Sequence, residues 1–246
     1  MKPTIIAVSD AASFGARAAD CFAAILRAKP DAIAVLPTGM TPLPFYQALR
    51  ERFAAGSIGN AFTYLALDEY RDLPDGDPRL FASWIGRELL DPLGIPASRR
   101  VCFRSGARDP AAEAARIEAW LAAHGPIDIA VLGLGGNGHA GFNEPGSTLE
   151  SRTRMVELTG ATIASNAAYW GGRDRVPAQA FTLGLANLRA ARHTILLVRG
   201  ADKAGILGRA LTGPVGPEVP ASYLQLQDRV TVVADSAALP PGLDAR

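Results

Sequence analysis

Four side chains that can move or stabilise protons lie within one short glycine-rich segment. Asn137, His139, Asn143 and Glu144 all fall in the stretch DIAVLGLGGNGHAGFNEPGST, residues 128–148. An imidazole changes charge near neutral pH, and a carboxylate close to it fixes its tautomer and raises its basicity. The presence of His139 and Glu144 in one loop therefore favours general acid–base catalysis over a purely structural histidine.

This segment follows a buried strand. Residues 127–134 form a nearly continuous aliphatic run, which predicts a central parallel strand covered on both faces. The glycines that follow allow a sharp turn at the carboxyl end of the strand, where open α/β sheets bind their ligands. The loop is therefore expected at a ligand-binding edge of a sheet.

The same glycines raise a second interpretation, a dinucleotide-binding loop. Gly133, Gly135 and Gly138 have the G-x-G-x-x-G spacing of that motif. The motif lies in the middle of the chain, however, and Pro145 interrupts the helix that would carry the pyrophosphate. This context disfavours a nicotinamide or flavin cofactor.

Composition narrows the classes of function. The chain has 246 residues, 48% hydrophobic content and a formal net charge of +1, which suits one α/β domain and gives no basic face for nucleic acid. No aliphatic run is long enough to span a bilayer, and the amino terminus is typical of a first strand and its turn. The two cysteines, Cys21 and Cys102, have no CxxC spacing and are expected to be free thiols without a zinc site. We expect a cytoplasmic protein without a metal or membrane contact.

Aliphatic strands alternate with alanine-rich helical segments along the chain. This pattern predicts an α/β fold of three layers, with a mostly parallel sheet and helices on both faces. Residues 1–236 are expected to form a single domain and residues 237–246 a frayed tail. The predicted strands cover 4–8, 32–36, 63–67, 101–104, 127–134, 180–183, 194–199 and 230–234. The predicted helices cover the residues up to about 28 after the first strand, 41–53, 111–123 and 203–211.

A second candidate segment, LPTGMTP, occupies residues 36–42. A strand ends there, Gly39 turns the chain, and Thr41 is a candidate N-cap with Pro42 at the first helical position. Free backbone N–H groups and the hydroxyls of Thr38 and Thr41 make a phosphate cradle plausible, although a simple strand-to-helix turn explains the segment equally well. Met40 lies within the same turn.

Two further segments carry charged residues at strand ends. Asp68 and Glu69 follow an aliphatic strand directly in LALDEYRDLP, residues 65–74. Adjacent carboxylates are usually solvated, but burial or a like charge at a strand end can raise a carboxyl pKa and produce a base. Lys203, in VRGADKAG, is expected at the start of a helix, where a cation is unfavourable unless an anion binds nearby.

These four segments, in their order along the chain, resemble the glucosamine-6-phosphate deaminase family, also called glucosamine-6-phosphate isomerase. The resemblance runs from about residue 4 to about residue 235 and is most specific in LPTGMTP, LDEY, NGHAGFNEP and SRTR. It implies a Rossmann-like fold of the deaminase/isomerase type. The same superfamily includes 6-phosphogluconolactonases, which have a different continuation after the Gly-His pair, so FNEP at 142–145 favours the deaminase branch.

The resemblance also implies roles for individual residues. Asp68 matches the proton shuttle between carbon-2 and carbon-1 of the opened amino sugar. His139 matches the group that assists ring opening, and Glu144 the carboxylate that supports it. Gly39, Thr41 and Lys203 match phosphate-binding positions. The other substrate-binding positions expected from the matched motifs are Thr38, Met40, Glu69, Gly135 and Gly138.

The implied reaction converts glucosamine 6-phosphate into fructose 6-phosphate and ammonia. It combines an aldose–ketose isomerisation with hydrolysis of an imine and requires no metal or organic cofactor. A proton next to an aldehyde needs a fixed carboxylate base, while ring opening needs a group that titrates near neutral pH. The expected partner is a phosphorylated amino sugar, and family members range from monomers to hexamers, so homo-oligomerisation stays open.

The sequence departs from the family pattern in three places. Asn137 replaces an aspartate of the catalytic relay; it can orient His139 by hydrogen bonding but cannot share its charge. Ala168 occupies the position of an arginine that clamps the phosphate, for which Arg173 or Arg175 of the same loop can substitute. The pair at 156–157 differs from the lysine and threonine of allosterically activated members, so we expect no activation by an N-acetylated sugar phosphate.

Three alternative functions stay open at this stage. A galactosamine-6-phosphate deaminase/isomerase would use the same proton shuttle on a sugar of opposite configuration at carbon-4. A 6-phosphogluconolactonase would use His139 to activate water and would not need Asp68 as a shuttle. A sugar-phosphate-binding regulator would keep the pocket without catalysis, which the set of His139, Glu144 and Asp68 argues against.

Overall fold

The structure, a computed structural model, describes residues 3–243. Its strands are β1 (Thr4–Val8), β2 (Ile33–Leu36), β3 (Thr63–Ala66), β4 (Asp68–Tyr70), β5 (Arg100–Val101), β6 (Ile129–Gly133), β7 (Arg154–Glu157), β8 (Gln179–Thr182), β9 (His193–Val198) and β10 (Val230–Asp235). Its α-helices are α1 (Ala11–Ala28), α2 (Leu43–Ala54), α3 (Phe81–Ile85), α4 (Pro110–His124), α5 (Gly160–Trp170), α6 (Leu185–Arg189) and α7 (Ala204–Thr212). Short 3-10 turns and one π-helical turn at Gly86–Leu90 complete the described chain.

Seven strands form one parallel sheet in the order β1-β10-β9-β6-β2-β3-β5. The central strand β6 is buried except at its last residue, as its aliphatic run predicts for a strand covered on both faces. Helices pack around the sheet and enclose one large hydrophobic core. The predicted α/β class with a mostly parallel sheet is confirmed.

The strand order reverses between β2 and β6. From β2 the chain continues to β3 and β5 on one side of the sheet, whereas from β6 it continues to β9 and β10 on the other side. Such a reversal opens a crevice outside the carboxyl ends of the two strands, because their connections leave in opposite directions. The loops after β2 and β6 therefore flank the crevice, and the ends of β3 and β9 lie beside them.

A second sheet was not predicted. It is antiparallel, in the order β4-β8-β7, and it pairs Asp68 with Thr182 and Met155 with Phe181. Residues 180–183 were correctly predicted as a strand, but β4 and β7 are only three and four residues long and contain charged side chains. Neither segment has the aliphatic run that identifies the strands of the main sheet.

Helix termini follow ordinary capping chemistry, with one correction to the prediction. Asp10 accepts a hydrogen bond from the Ser13 N–H and caps α1, as an N-cap carboxylate should. Thr41 was predicted to cap α2, but the N-cap residue is Pro42 and the helix begins at Leu43 without a side-chain cap. The Leu43 N–H instead donates to the Met40 carbonyl, so a backbone turn closes this end.

The carboxyl-terminal segment packs against the domain as far as it is described. A 3-10 turn spans Ser236–Ala238; Ala238 is fully buried, and Leu239 and Leu243 lie against the core. The frayed tail predicted at 237–246 stays a prediction, and residues 244–246 lie outside the described residues. Among residues 3–243, no helix combines the length and apolar character that crossing a membrane requires.

Candidate active site

The four predicted segments meet at the carboxyl edge of the main sheet. They follow β9, β6, β2 and β3, which are adjacent in that order. A Cβ atom placed on Gly136 would lie 3.7 Å from the Lys203 Nζ, so the lysine after β9 borders the loop after β6. A Cβ atom on Gly141 would lie 3.2 Å from Leu67, the residue before Asp68, so the loop after β6 also borders the end of β3.

Asn137 connects the two parts of the acid–base loop. Its Nδ2 donates to Glu144 Oε2 at 2.6 Å, and its Oδ1 accepts the backbone N–H of His139 at 3.1 Å. The expected hydrogen bond between Asn137 and His139 is therefore present, and it is made by the backbone N–H of His139. An amide at this position can donate to the carboxylate, as an ionised aspartate could not, and so it stabilises the charged form of Glu144.

Glu144 also receives a hydrogen bond from outside the loop. Oγ1 of Thr162, in the first turn of α5, donates to Glu144 Oε1. The imidazole Nδ1 of His139 lies 3.8 Å from Glu144 Oε2, which is too far for a hydrogen bond. Burial alone would raise the pKa of Glu144, but His139 and the donors on Thr162 and Asn137 outweigh burial and hold the pKa below its ordinary value.

The His139 ring packs directly on the backbone of Gly135. A Cβ atom on Gly135 would lie 2.3 to 2.5 Å from three atoms of the imidazole, which no side chain can tolerate. Gly138 has φ +86° and would place a Cβ atom 2.7 Å from Val219, and its carbonyl accepts the Ala221 N–H. Gly135 therefore provides the close backbone approach that positions the imidazole, and Gly138 provides the approach to Val219. The predicted contact of both glycines with substrate stays a prediction.

Asp68 is buried at the start of β4, with 8% of its surface exposed. Burial, with a smaller contribution from the neighbouring charge of Glu69, raises its pKa to about 8. A carboxyl group with such a pKa can accept and return a proton near neutral pH. Asp68 is therefore not a solvated surface charge, and its role as a general base stays a prediction.

Glu69 was expected to bind substrate, but the structure uses its carboxylate internally. Oε1 accepts the backbone N–H groups of Tyr70 and Phe81, and Oε2 accepts that of Ala82. The side chain thus satisfies two free donors at the amino end of α3. Burial raises the pKa of Glu69, and the three N–H donors partly offset this.

The loop at 36–42 has the form of the predicted turn. Gly39 has φ +99°, a conformation that favours glycine. The side chains of Thr38 and Thr41 are half-buried, whereas that of Met40 is 78% exposed. The Lys203 Nζ, on the other side of the crevice, contacts Asp202 at 3.2 Å. The phosphate cradle formed by this loop and Lys203 stays a prediction.

The expected arginine substitutes follow α5. Arg173 and Arg175 are exposed in a 3-10 turn, with the Arg173 guanidinium close to Gly160 and that of Arg175 close to Gly171. Ala168 lies within α5 itself. The predicted role of either arginine as a phosphate ligand is not tested by these contacts.

Sequence reasoning missed two residues that hold the loop. Arg154, in β7, donates from Nη1 to Asn143 Oδ1 at 2.9 Å and from Nη2 to Ser147 Oγ at 3.0 Å. The fully buried Asn143 in turn donates to the carbonyls of Ala140 and Leu183. Arg154 lies in the SRTR motif, whose individual residues were given no role, and Thr162 lies in α5, a helix that the sequence analysis did not predict. Within residues 3–243, no three His, Cys, Asp or Glu side chains form a group suited to a metal ion.

Comparison with known proteins is consistent with these motifs. A family model described as glucosamine-6-phosphate isomerases/6-phosphogluconolactonase matches residues 8–233. The chain is 40% identical over 236 residues to a glucosamine-6-phosphate deaminase of Streptomyces coelicolor, covering 95% of this chain and 90% of that protein. It is 37% identical over 235 residues to a glucosamine-6-phosphate deaminase of Leuconostoc citreum, covering 95% of this chain and 97% of that protein.

Solved structures show the same architecture. The fold is similar to that of a monomeric glucosamine-6-phosphate deaminase, with a TM-score of 0.92 and 33% identity over 96% of this chain and 98% of that chain. It is also similar to a 6-phosphogluconolactonase from Leishmania guyanensis, with a TM-score of 0.78 and 21% identity over 100% of both chains, a likeness of fold alone. Because the family model spans residues 8–233 and the aligned relatives cover nearly the whole chain, the chain belongs to the glucosamine-6-phosphate isomerase/6-phosphogluconolactonase family.

Proposed function

We propose that the protein is a glucosamine-6-phosphate deaminase, which releases ammonia from glucosamine 6-phosphate and produces fructose 6-phosphate. The observation that carries the proposal is the buried carboxyl group of Asp68 beside a loop that contains the Asn137–Glu144–His139 network. A carbon acid next to an aldehyde requires such a base, whereas hydrolysis of a lactone requires only an activated water. The relatives at 37% and 40% identity are named glucosamine-6-phosphate deaminases.

The proposed reaction begins with opening of the sugar ring. His139 transfers a proton to the ring oxygen of the sugar, and the Glu144 carboxylate lies 3.8 Å from the imidazole during this step. The bond between the ring oxygen and carbon-1 breaks while the carbon-1 hydroxyl loses its proton to water, and the aldehyde at carbon-1 is thereby exposed. Asn137 and Thr162 hold Glu144 in the charged state during this step.

Asp68 then moves one proton between neighbouring carbons. It takes the proton from carbon-2, the electron pair forms the carbon-1–carbon-2 double bond, and the carbonyl oxygen takes up a proton from water. The amine of the resulting enolamine next supplies its electron pair to form the imine at carbon-2, while Asp68 returns its proton to carbon-1. Water adds to the imine and ammonia leaves, which gives the ketone.

The phosphate end of the substrate is assigned to the 36–42 loop and Lys203. Backbone N–H groups at the start of a helix and one ammonium group suit a phosphate dianion. The galactosamine 6-phosphate alternative uses the same groups and differs only at carbon-4, so the substrate is assigned from the named relatives.

The experiment compares three substrates on the purified protein: glucosamine 6-phosphate, galactosamine 6-phosphate and 6-phosphogluconolactone. Ammonia and ketose formation are measured for the amino sugars and acid release for the lactone, with Asp68→Asn beside the wild type. We expect turnover of glucosamine 6-phosphate and a loss of at least about a thousandfold in kcat for Asp68→Asn, because the shuttle has no substitute.

Each other outcome selects a different conclusion. Preference for galactosamine 6-phosphate would change the substrate and keep the mechanism. Lactone hydrolysis that survives Asp68→Asn would replace the proposal by a lactonase. Saturable binding of glucosamine 6-phosphate without product would indicate a regulator.

A further inference from the structure

A hydroxyl group from a separate helix reaches the acid–base loop. Thr162 lies in the first turn of α5, is 3% exposed, and donates from Oγ1 to Glu144 Oε1. The other carboxylate oxygen, Oε2, accepts from Asn137 Nδ2 at 2.6 Å. Donors from two different parts of the fold therefore hold the two oxygens of one carboxylate.

This arrangement determines the plane of the carboxylate. A carboxylate held by one oxygen can rotate about its Cγ–Cδ bond, whereas a donor on each oxygen fixes its orientation. In Glu144 that orientation keeps Oε2 at 3.8 Å from the His139 Nδ1. Thr162 thus helps to fix the position of Glu144, the partner of the imidazole, through a bond to Glu144 and not to the imidazole.

The hydroxyl of Thr162 is itself oriented. Oγ1 of Thr159, the N-cap residue of α5, donates to Thr162 Oγ1 at 3.3 Å and also accepts the Thr162 N–H at 3.2 Å. A hydroxyl has one proton to donate, and the Thr159 bond leaves the proton of Thr162 for the carboxylate. The start of α5 therefore presents a directed donor to Glu144.

We propose that Thr162 is a positioning residue for catalysis, which holds the Glu144 carboxylate in the orientation that His139 requires for ring opening. This inference rests on the proposed function. The lowered pKa of Glu144, to which the Thr162 bond contributes, agrees with the same geometry. Thr162 acts through Glu144, so its loss should reduce the rate of the chemical step and leave substrate binding nearly unchanged.

The first test removes only the hydroxyl. Thr162→Val keeps the volume and the branched shape, and we expect a decrease of about tenfold to a hundredfold in kcat, since a small misplacement of a catalytic group has effects of this size. KM should stay within about twofold of the wild-type value, since a uniform loss of binding would raise KM instead. Thr162→Ser keeps the hydroxyl and should restore most of kcat. Thr162→Ala gives the same comparison if the valine variant does not fold.

Two controls separate positioning from general destabilisation. Thr194→Val removes an equally buried hydroxyl, whose 3.0 Å bond to Gln227 Oε1 lies at the amino end of β9, away from the site. It should lower the melting temperature but keep kcat. In a Glu144→Gln background, adding Thr162→Val should change kcat by less than about twofold, because the two residues act as one unit.

The outcomes distinguish the inference from the proposed function. Wild-type turnover with an unchanged kcat in Thr162→Val would overturn the inference alone. If Thr162→Val lowered kcat as much in the Glu144→Gln background as in the wild type, Thr162 would act by another route and the inference would be overturned. Failure of Thr162→Ser to restore kcat would also overturn it. Absence of ammonia release by the wild type would overturn the proposed function and with it the inference.

Discussion

Asp68 and Glu69 show how adjacent residues of similar chemistry receive different tasks. Glu69 is 1% exposed and its two oxygens accept three backbone N–H groups. Asp68 is also buried, and burial and the nearby carboxylate raise its pKa. Backbone hydrogen bonds offset part of this effect for Glu69 but not for Asp68. Glu69 therefore organises the start of α3, while Asp68 is available for proton transfer.

The pH dependence of kcat/KM should reflect the pKa of Asp68. The base must be ionised, so activity should rise with pH through about 8. Glu69→Gln removes the like charge and should shift this rise to lower pH. The measurement is a full pH–rate profile of kcat/KM for both enzymes. Because both act on the same substrate, any difference between the profiles comes from the protein. Superimposable profiles would show that Glu69 does not influence the proton shuttle.

Asp68 should also make folding stability depend on pH. Its pKa is about 8 in the folded protein against an ordinary value of 3.8, so the folded state binds more protons between these values and becomes less stable as pH rises. Asp68→Asn removes this cost. We expect the variant to exceed the wild type in melting temperature at pH 9, with a difference that shrinks as pH falls towards 4. A difference that is constant with pH would contradict the burial of an ionisable group at this position.

At the scale of elements, the loop after β6 depends on close backbone packing. The His139 ring occupies the space where a side chain at residue 135 would lie. The loop is also bonded to neighbouring elements: the Phe142 N–H donates to Thr182 Oγ1 on β8, and Asn143 accepts from Arg154 on β7. The small antiparallel sheet therefore holds the loop through hydrogen bonds to β8 and β7.

Gly135→Ala should disable the site while Gly133→Ala should not. The first substitution places a methyl group within 2.5 Å of three imidazole atoms, so the ring must move, and we expect kcat to fall about a hundredfold. The second meets nothing within 4 Å, and Gly133 does not have a positive φ. Steady-state kinetics of both variants, with melting temperatures as the folding control, provide the test. An equal decrease in kcat in both variants would mean that the loop is sensitive to any added side chain.

At the scale of the whole molecule, the two edges of the main sheet have different roles. The carboxyl edge carries the site. At the amino edge, the Asp128 carboxylate, 2% exposed, accepts the Ile33 N–H at 2.9 Å and pairs with Lys29 at 2.6 Å and Arg192 at 3.2 Å. This carboxylate connects the ends of β2, β6 and β9, which are the strands that set the crevice at the opposite edge.

Asp128→Ala should therefore destabilise the protein without changing its chemistry. It leaves the Ile33 N–H unpaired in a buried place, which costs about 1–3 kcal/mol, whereas kcat should stay within about twofold of wild type. Asp228→Ala, an exposed carboxylate near the same edge, is the matched control and should change stability little. Chemical denaturation measures the free energy of unfolding of both. A large decrease in kcat for Asp128→Ala would show that the two edges are coupled.

Patterns local in the chain were sufficient for most of the main parallel sheet. The aliphatic runs identified six strands of the parallel sheet, because a strand covered on both faces must be apolar throughout. The seventh, β5, shares only Val101 with the strand predicted at 101–104. The motifs LPTGMTP, LDEY and NGHAGFNEP identified the family, which the match over residues 8–233 confirms. The short strands β4 and β7 were missed because edge positions in a small sheet place no such demand on a sequence.

The environment of each site residue was decided only by the tertiary structure. The sequence alone indicated that Asp68, His139 and Glu144 could do acid–base chemistry, because those side chains have the required groups at strand ends. It could not show that Asn137 donates to Glu144 and not to the imidazole, that Glu69 is used by α3, or that Thr162 reaches the loop. These contacts join segments 7 to 18 residues apart, whose meeting depends on how strands and helices pack. Burial and hydrogen bonding set a pKa, and both are properties of the packed molecule.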